Sequence, residues 1–293
     1  MTTRSFYVER DGLRLHAVEE GNQYGPLLVF VHGYPDDKEV WDPVIAPLLD
    51  EFRILRYDVR GAGLSDVPAK RDDYLMPELV ADLLAVVDAV KPEGTFHVIG
   101  HDWGSIQLWE AVTDPIASER IASFVSASGP CLDHIAMQMQ QAAKKGGLKE
   151  RARALTQAAK SWYIGMFQLP VLPELAWSKG SAPKVEKRIA AAENIPYAAF
   201  QSAQRSKNGT HGIQLYRANV PKRLRQPEPR ASRVPTHVLI PKNDNYVSEY
   251  IARSCEPWVQ SVQFEPVEGG HWFYLAQPEI FAEAIRKHVK KHA

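Results

Sequence analysis

Apolar and polar positions follow two different patterns along this chain, and together they predict strands and helices in a regular order. The runs SFYVER and LRLHAVEE alternate strictly and are joined by Asp11-Gly12, a pair that favours a hairpin turn. The run PLLVFVHG is continuously apolar and ends in glycine, as expected of a strand buried on both faces. Residues 76–91 instead repeat at helical spacing. Their apolar stripe consists of Leu79, Leu83, Val86 and Val87.

The same patterns continue to the end of the chain. They predict strands at RILRYDVRG, TFHVIG, IASFVSASG, THVLIPKND and VQFEPVEGG, and helices at KEVWDPVIAPLLDEF and SIQLWEAVT. A hairpin followed by alternating strands and helices is typical of an α/β fold, a mostly parallel sheet with helices on both faces. Residues 132–232 interrupt the alternation with helical runs. We therefore predict a core, residues 1–131 and 233–293, and an inserted helical cap segment, residues 132–232, over the carboxyl ends of the strands.

Composition and charge exclude several classes of protein. The chain has 293 residues, 45% of them hydrophobic, which is enough to bury a sizeable core. Lys+Arg and Asp+Glu both number 35, so the overall charge makes no case for nucleic acid or an anionic membrane surface. Cys131 and Cys255 lie far apart, which suits reduced thiols. Without an apolar signal core or a membrane-length apolar run, we expect a cytoplasmic chain with no integral membrane segment. The two cysteines also lack metal-ligand spacing, and we expect neither a metal nor a cofactor.

The segment VIGHDWGS, residues 98–105, carries the first candidate chemistry. Its Gly100-x-Asp102-x-Gly104 spacing has the form of a strand-turn-helix nucleophile elbow, with aspartate at the position that usually holds serine. The two glycines allow a sharp bend and a close approach of strand and helix, so that Asp102 would project above the sheet. The alternative is that Asp102 only caps the following helix, a position that aspartate favours.

Candidate partners for Asp102 follow later strands. His271, behind two glycines after the last predicted strand, is the candidate base. Asp244, after the penultimate strand, would orient His271 and stabilise its imidazolium form. Asp133, after an earlier strand, competes for that role. The order nucleophile, acid, base is the one that elbow hydrolases use.

The segment VFVHGYPDD supplies a further candidate element. It places Tyr34 after the third strand, where the backbone N–H groups of Tyr34 and Trp103 would form a pair of oxyanion donors. The Tyr34-Pro35 bond is a candidate cis peptide, because cis is far more accessible before proline than before other residues.

Taken together, HGYP, DVRGAGLSD, GHDWGS, PKND and GGHW resemble the α/β-hydrolase superfamily over the whole chain. The aspartate elbow resembles its aspartate-nucleophile branch, the epoxide hydrolases and haloalkane dehalogenases. The strongest likeness is to the hydrolase part of bacterial EphD-type proteins, some of which continue into a C-terminal short-chain dehydrogenase. Because no Gly-x-Gly-x-x-Gly follows a strand here, the resemblance implies that any such dehydrogenase would belong to a longer parent protein.

The resemblance also implies roles for residues of the cap segment. Epoxide hydrolases bind the epoxide oxygen with two cap tyrosines. SWYIGMFQLP resembles the first cap motif and implies this role for Tyr163, and IQLYRANV resembles the second and implies it for Tyr216. Phe167 and Trp103 are further candidates for substrate contact. Dehalogenases commonly carry a halide-binding asparagine where this chain has Tyr34, so the expected small-molecule partners are an epoxide and water.

A carboxylate nucleophile also favours attack on a saturated carbon, such as that of an epoxide, over attack on an ester or amide. To attack an ester or amide, the carboxylate would have to displace an alkoxide or an amine and form an anhydride. This reaction is unfavourable, because the carboxylate is a better leaving group than either. Attack on a saturated carbon forms an alkyl ester instead, which water activated by His271 can hydrolyse. An epoxide oxygen needs a proton as it leaves, and phenols, with a reference pKa of about 10, can supply it. Two alternatives stay open: a haloalkane dehalogenase with the same triad, and a non-catalytic ligand-binding protein on the same fold.

Overall fold

The computed structural model describes residues 3–178 and 180–293 and contains one eight-stranded sheet. Its strands are β1 (Arg4–Arg10), β2 (Leu13–Gly21), β3 (Leu27–Val31), β4 (Arg53–Tyr57), β5 (Phe96–His101), β6 (Ile121–Ala127), β7 (Thr236–Pro241) and β8 (Val262–Val267). The spatial order is β1-β2-β4-β3-β5-β6-β7-β8. The β1–β2 and β2–β4 pairs are antiparallel, and the other pairs are parallel. The predicted α/β fold with a mostly parallel sheet is confirmed.

The hairpin at the start of the sheet has the turn that its sequence predicts. Asp11 and Gly12 have φ values of 50° and 77°, and the register pairs Arg10 with Leu13. Two consecutive positive φ values define the turn whose twist matches that of the flanking strands, and Asp-Gly adopts them readily.

The helices follow in chain order. They are α1 (Asp42–Ile45), α2 (Met76–Asp88), α3 (Trp103–Thr113), α4 (Leu132–Lys145), α5 (Leu148–Lys160), α6 (Trp162–Phe167), α7 (Leu172–Ala176), α8 (Ala182–Ala192), α9 (Tyr197–Phe200), α10 (Arg205–Arg225), α11 (Glu249–Ala252), α12 (Phe273–Ala276) and α13 (Pro278–Lys291). Short 3₁₀ turns occupy Lys38–Trp41, Ala46–Leu48, Arg71–Tyr74, Ala117–Arg120 and Arg253–Cys255. Among the helices that the structure describes, none has both the length and the apolar character needed to cross a bilayer.

The core lies on both faces of the sheet. Val29 and Val31 of β3 belong to one apolar cluster, whereas Leu28 and Phe30 belong to another on the opposite face. Helix α2 covers the first face with the stripe that its spacing predicted, and α13 covers the second. A strand with apolar neighbours on both sides has no solvent-facing positions, which explains why its sequence is continuously apolar.

One predicted helix is broken into pieces. The run KEVWDPVIAPLLDEF forms a 3₁₀ turn, the short helix α1 and a second 3₁₀ turn. Pro43 and Pro47 each lie in the first turn of a new piece, because proline is tolerated there but interrupts a helix interior. Apolar side chains such as Trp41 and Leu48 are nevertheless fully buried against the sheet.

Between β6 and β7, every helix or strand assigned to the described residues is a helix, α4 to α10. Helix α10 connects this segment to the loop after β3. The Arg205 guanidinium donates to Asp36 Oδ1 at 2.6 Å, and the Tyr34 hydroxyl donates to the carbonyl of Gly209 at 2.9 Å. We therefore propose to divide the chain as the sequence suggested, with the cap segment 132–232 docked on a core of 1–131 and 233–293.

Candidate active site

Asp102 lies on a sharp turn between β5 and α3. Its φ of 50° and ψ of −123° are unfavourable for a residue other than glycine, and such strain is concentrated at functional sites. Small neighbours make the turn possible. A Cβ atom on Gly104 would lie 1.9 Å from the carbonyl oxygen of Val31, and one on Gly129 would lie 2.1 Å from that of Asp102. The glycine spacing in the sequence therefore reflects close backbone contacts.

The Asp102 side chain has a partner outside its own helix. Within the described chain it makes no capping hydrogen bond to α3. Its Oδ1 atom accepts a hydrogen bond from the backbone N–H of Tyr34 at 2.8 Å. The geometry thus favours the nucleophile interpretation of Asp102 over a simple helix cap.

His271 and Asp244 meet Asp102 at the carboxyl ends of the parallel strands. The Nδ1 atom of His271 lies 3.0 and 3.1 Å from the two carboxylate oxygens of Asp244, and its Nε2 atom lies 3.5 Å from Asp102 Oδ2. Asp244 Oδ1 also accepts from the backbone N–H groups of Tyr246 and Val247 at 2.7 and 2.9 Å. All three triad candidates are buried. Because the Nδ1 side of the ring faces the two Asp244 oxygens, the Nε2 atom is directed toward Asp102.

Burial and neighbouring charges shift the pKa values of His271 and Asp244 in opposite directions. Burial by itself disfavours the imidazolium form of His271, but the carboxylates of Asp244 and Asp102 outweigh it and raise the His271 pKa to about 10. Burial would raise the pKa of Asp244, but the imidazolium and the two N–H donors lower it overall. In the free protein at neutral pH, His271 is therefore protonated between two anions.

Asp133, the competing orienter, lies elsewhere. It is buried in the first turn of α4, where its carboxylate pairs with Arg223 at 3.0 Å and with Arg230 at 2.9 Å. Its other oxygen accepts from the backbone N–H of Glu228 at 2.9 Å. This cluster joins the beginning of the cap segment to its end.

These positions give a first testable prediction. Asp244→Asn should slow the base-dependent step about 10²–10⁴-fold, because the amide cannot stabilise the imidazolium and changes the favoured tautomer. Asp133→Asn should leave that step within a few-fold of wild type and lower the thermal midpoint instead, because it weakens an ion-pair cluster. Pre-steady-state kinetics and thermal melts of both variants separate the two roles. A larger kinetic loss in Asp133→Asn would transfer the orienting role to that residue.

A cavity of about 550 Å³ opens from Asp102 into the cap segment. Its walls come mainly from α3, α4, α5, α6, α10 and the loop after β7, and they are mostly apolar. The polar groups that reach it include Asp102 and the tyrosines Tyr163, Tyr216 and Tyr246. The apolar lining consists mainly of Trp103, Ile106, Leu132, Ile135, Met139, Ile164, Val220, Leu224, Val247 and Ile251. An apolar chamber with a few convergent polar groups is typical of a small-molecule site.

The two cap tyrosines share this cavity. Tyr163 on α6 and Tyr216 on α10 have ring centroids 6.0 Å apart, and the Tyr216 ring lies 4.8 Å from that of Trp103. Burial raises the pKa of both phenols far above its usual value, and the Asp102 carboxylate raises it further. Both hydroxyls are therefore protonated at neutral pH and able to donate.

Tyr34 contributes its backbone to the site, while its side chain packs into the cap segment. The ring lies between Phe167, Trp177 and Tyr216, at centroid distances of 5.6, 6.0 and 5.4 Å. The Tyr34-Pro35 peptide bond is cis. Phe167 packs behind the two cap tyrosines, outside the set of residues that line the cavity. Trp103 lines the cavity and begins α3, where a backbone N–H has no acceptor within the helix.

Sequence reasoning missed the carboxylate that holds the histidine loop. Glu193, just after α8, is buried, and its Oε2 atom accepts from the backbone N–H of His271 at 2.5 Å. Its Oε1 atom accepts from the Asn245 side chain at 2.9 Å, so one cap residue joins both loops of the triad. A Cβ atom on Gly270 would lie 2.2 Å from Glu193 Oε2. The two glycines before His271 signalled a close approach, but nothing local identified the residue that approaches.

The fold and this site define a class of protein. The chain belongs to the α/β hydrolase family: the family model described as alpha/beta hydrolase fold matches residues 26–278. It is similar to the probable oxidoreductase EphD of Mycobacterium tuberculosis, with 31% identity over 287 residues, which cover 94% of this chain and 47% of that protein. The chain therefore spans about half the length of this relative. The resemblance that the motifs indicated is confirmed.

Two further proteins extend the comparison. Epoxide hydrolase 1 of Caenorhabditis elegans is 24% identical over 302 aligned positions, which cover 98% of this chain and 70% of that protein. The crystal structure of Bacillus megaterium epoxide hydrolase in complex with an inhibitor matches with a TM-score of 0.80 at 19% identity. That match covers 97% of this chain and all of the solved chain. At this level of identity, the solved structure demonstrates a shared fold.

Proposed function

We propose that this chain is an epoxide hydrolase that converts an epoxide into a vicinal diol through an alkyl ester on Asp102. The observation that carries the proposal is the cavity that Asp102 shares with two protonated cap phenols, together with the contacts of Asp102 with His271 and of His271 with Asp244. The name of the C. elegans relative supports the same activity.

In the first step, the Asp102 carboxylate attacks one epoxide carbon and the carbon–oxygen bond of the ring breaks. Tyr163 or Tyr216 donates a proton to the departing oxygen, which leaves a phenolate in the cavity. General acid assistance of this kind typically contributes about 10²–10⁴-fold to the rate. The product is an alkyl ester of Asp102 that carries the first hydroxyl group of the diol.

Formation of the ester changes His271 as well. The ester is neutral, so one of the two anions that raise the His271 pKa disappears. The imidazolium then becomes acidic enough to return a proton to the phenolate, which restores the phenol and frees His271 as a base. In this way, alkylation of the nucleophile itself prepares the base for the second step.

In the second step, His271 takes a proton from water and the hydroxide adds to the ester carbonyl. The N–H groups of Tyr34 and Trp103 stabilise the oxyanion; the Tyr34 N–H already donates to Asp102 Oδ1 at 2.8 Å. Collapse of the intermediate breaks the bond to the diol oxygen, which takes the second proton of the water from the carboxylic acid that forms on Asp102. The diol and the Asp102 carboxylate are released, and the proton from water leaves His271 charged as at the start.

The haloalkane dehalogenase alternative shares the triad but needs a donor for halide. The Tyr34 hydroxyl donates to the carbonyl of Gly209, and its ring is enclosed by cap side chains. Halide departure also needs no proton, so two phenols beside the nucleophile would have no chemical role. A non-catalytic binding protein would need no fully equipped triad. Both features favour the epoxide.

A matched pair of substrates tests this function. Single Tyr163→Phe and Tyr216→Phe variants should alkylate about 10–10²-fold more slowly than wild type, because one phenol remains as donor. The double variant should lose ring opening almost completely, while hydrolysis of a preformed ester stays near normal. We expect diol from styrene oxide and little bromide from a bromoalkane of similar size. Faster bromide release that survives in the double variant would establish the dehalogenase alternative, and no turnover of either substrate would favour the binding protein.

Tyr250→Phe is the matched control, since this tyrosine lies outside the cavity lining and its hydroxyl has no part in the proposed mechanism. It should alkylate at the wild-type rate. An equal loss in the control and in the cap variants would show that the effect is structural.

The cellular location of the enzyme and its place in a longer protein are also proposals. Cys131 and Cys255 are free and buried thiols, which supports a reducing, cytoplasmic location. The similarity to half of a longer EphD-type relative supports the proposal of a parent protein with a C-terminal dehydrogenase. No role for nucleic acid follows from the site.

A further inference from the structure

Charge is unevenly distributed between the cap segment and the core. Residues 132–232 contain 17 of the 35 basic residues but only 6 of the 35 acidic ones, a net charge of +11. The core carries the opposite net charge of −11. The balanced total therefore conceals a strongly cationic cap, and charge asymmetry of this kind often marks an interaction with an anionic surface.

The basic residues are concentrated around α5. Residues 144–160 hold six basic side chains and one acidic side chain. Within the described chain, none of the six forms an ion pair, and all except Lys160 belong to exposed residues. The six are Lys144, Lys145, Lys149, Arg151, Arg153 and Lys160. The charges of the five exposed residues are thus available to a ligand outside the molecule, whereas the Lys160 ammonium donates to the carbonyl of Asp244.

Helix α5 is also inverted with respect to an ordinary surface helix, whose apolar stripe faces the core. Its buried side is polar: the Gln157 side chain donates to the carbonyl of Tyr246 at 2.8 Å and accepts from the N–H of Ser248 at 3.0 Å. Its outer side is apolar, with Leu148 90% exposed and Leu155 71% exposed. These leucines are seven residues apart and therefore lie on one face.

The first residue of α6, after the break at Ser161, is also apolar and exposed. Trp162, seven residues after Leu155, is 68% exposed. Loop and α7 residues of the cap segment add further exposed apolar side chains, namely Leu169, Val171, Leu172 and Leu175. These exposed apolar side chains do not stabilise the fold, because they remain in contact with water instead of being buried.

This surface adjoins the mouth of the active-site cavity. Ala158 of α5 and Ile164 of α6 belong to the cavity lining, and Leu224 both lines the cavity and is exposed at the surface. A molecule leaving an apolar phase at the outer face of α5 would therefore meet apolar side chains along the way to Asp102.

We propose that the outer face of α5 and α6, defined by Leu148, Leu155 and Trp162, docks on an anionic lipid surface. An apolar face flanked by basic residues is the arrangement of helices that lie in a lipid interface. Lys149 and Arg151, which flank the leucines on α5, face the lipid phosphates, and the three apolar side chains enter the headgroup boundary. A second copy is a poorer occupant, because two caps of net charge +11 repel each other. The inferred substrate class, which rests on the proposed function, is a lipophilic epoxide that enters the cavity from the lipid.

Vesicle flotation of the full chain tests the docking directly. Vesicles of 30% phosphatidylglycerol in phosphatidylcholine should bind at least about tenfold more tightly than pure phosphatidylcholine vesicles, with a loss of binding at high salt. Lys149→Gln and Arg151→Gln should each weaken binding about fivefold. The double variant Leu155→Ser/Trp162→Ser should weaken it about tenfold or more. Absence of any preference for anionic vesicles would overturn the proposal.

Matched controls come from the core. Ile116→Ser removes a side chain that is 78% exposed, and Lys287→Gln removes an exposed charge; neither should change vesicle binding. An equal loss in these controls would contradict a defined docking face. Self-association in sedimentation velocity that Leu155→Ser/Trp162→Ser abolishes would assign the face to a second copy instead. Binding of poly-L-glutamate at least as tight as that of vesicles, and unaffected by the double variant, would assign it to an acidic protein.

The docking proposal and the proposed activity can be refuted independently of each other. Asp102→Asn should bind vesicles like wild type, and Leu155→Ser/Trp162→Ser should hydrolyse styrene oxide at the wild-type rate. The double variant should lose activity only on an epoxide embedded in vesicles. Vesicle binding without any epoxide turnover would refute the enzyme and leave the docking surface standing.

Discussion

Replacing Asp102 with asparagine should abolish diol formation, with a loss of at least about 10⁴-fold in kcat. Asparagine has nearly the same shape as aspartate, tolerates positive φ and can still accept the Tyr34 N–H. It lacks the negative oxygen that must attack the epoxide carbon. A retained fold, checked by circular dichroism, would place the loss in the chemical step.

Isotope labelling distinguishes covalent catalysis from direct attack by water. In a single turnover in ¹⁸O-water, the diol should contain little label, because its new oxygen comes from Asp102. The label should appear in the Asp102 carboxylate and be found by mass spectrometry of the peptide. Full labelling of the diol in the first turnover would mean direct attack by water and would refute the ester mechanism.

His271→Gln should separate the two steps and trap the intermediate. The first step needs the carboxylate and the phenols, so the variant should still be alkylated. The second step needs a base, and its loss should slow ester hydrolysis by about 10²–10⁴-fold or more. Intact-mass spectrometry after mixing with styrene oxide should show a stoichiometric adduct of protein plus substrate.

His292→Gln, near the end of the chain and away from the cavity, provides the control for this variant. It should turn over like wild type and show no adduct. A His271→Gln protein that remains unmodified yet turns over normally would assign the base to another residue.

The structure also makes the cap segment part of the catalytic architecture. Glu193 holds the backbone of His271, and Gln157 holds the backbone on both sides of Val247, just after the triad acid. Lys160 donates to the carbonyl of Asp244 itself at 2.5 Å. The cap segment therefore positions the two loops that carry Asp244 and His271, the proposed partners of Asp102.

The strands and the strand-turn-helix elbow followed from local sequence. A buried strand is continuously apolar wherever it occurs, and Gly100 reflects contacts with Ser105 and Leu108 of the same strand-turn-helix unit. Such features depend on residues close together in the chain, so the sequence displays them directly. The broken helix around Pro43 and Pro47 was the exception, because apolar spacing obscured the effect of the prolines.

The remaining features depend on contacts between distant residues. Asp133 and Asp244 both follow strands, and only the fold places one beside His271 and the other between two arginines. Glu193 reaches His271 across 78 positions of the chain, with no local pattern to mark it. The surplus of basic residues was present in the sequence, but its meaning depends on the orientation of α5. Tertiary packing decides that orientation, because it buries Gln157 for its hydrogen bonds and leaves the leucines outside.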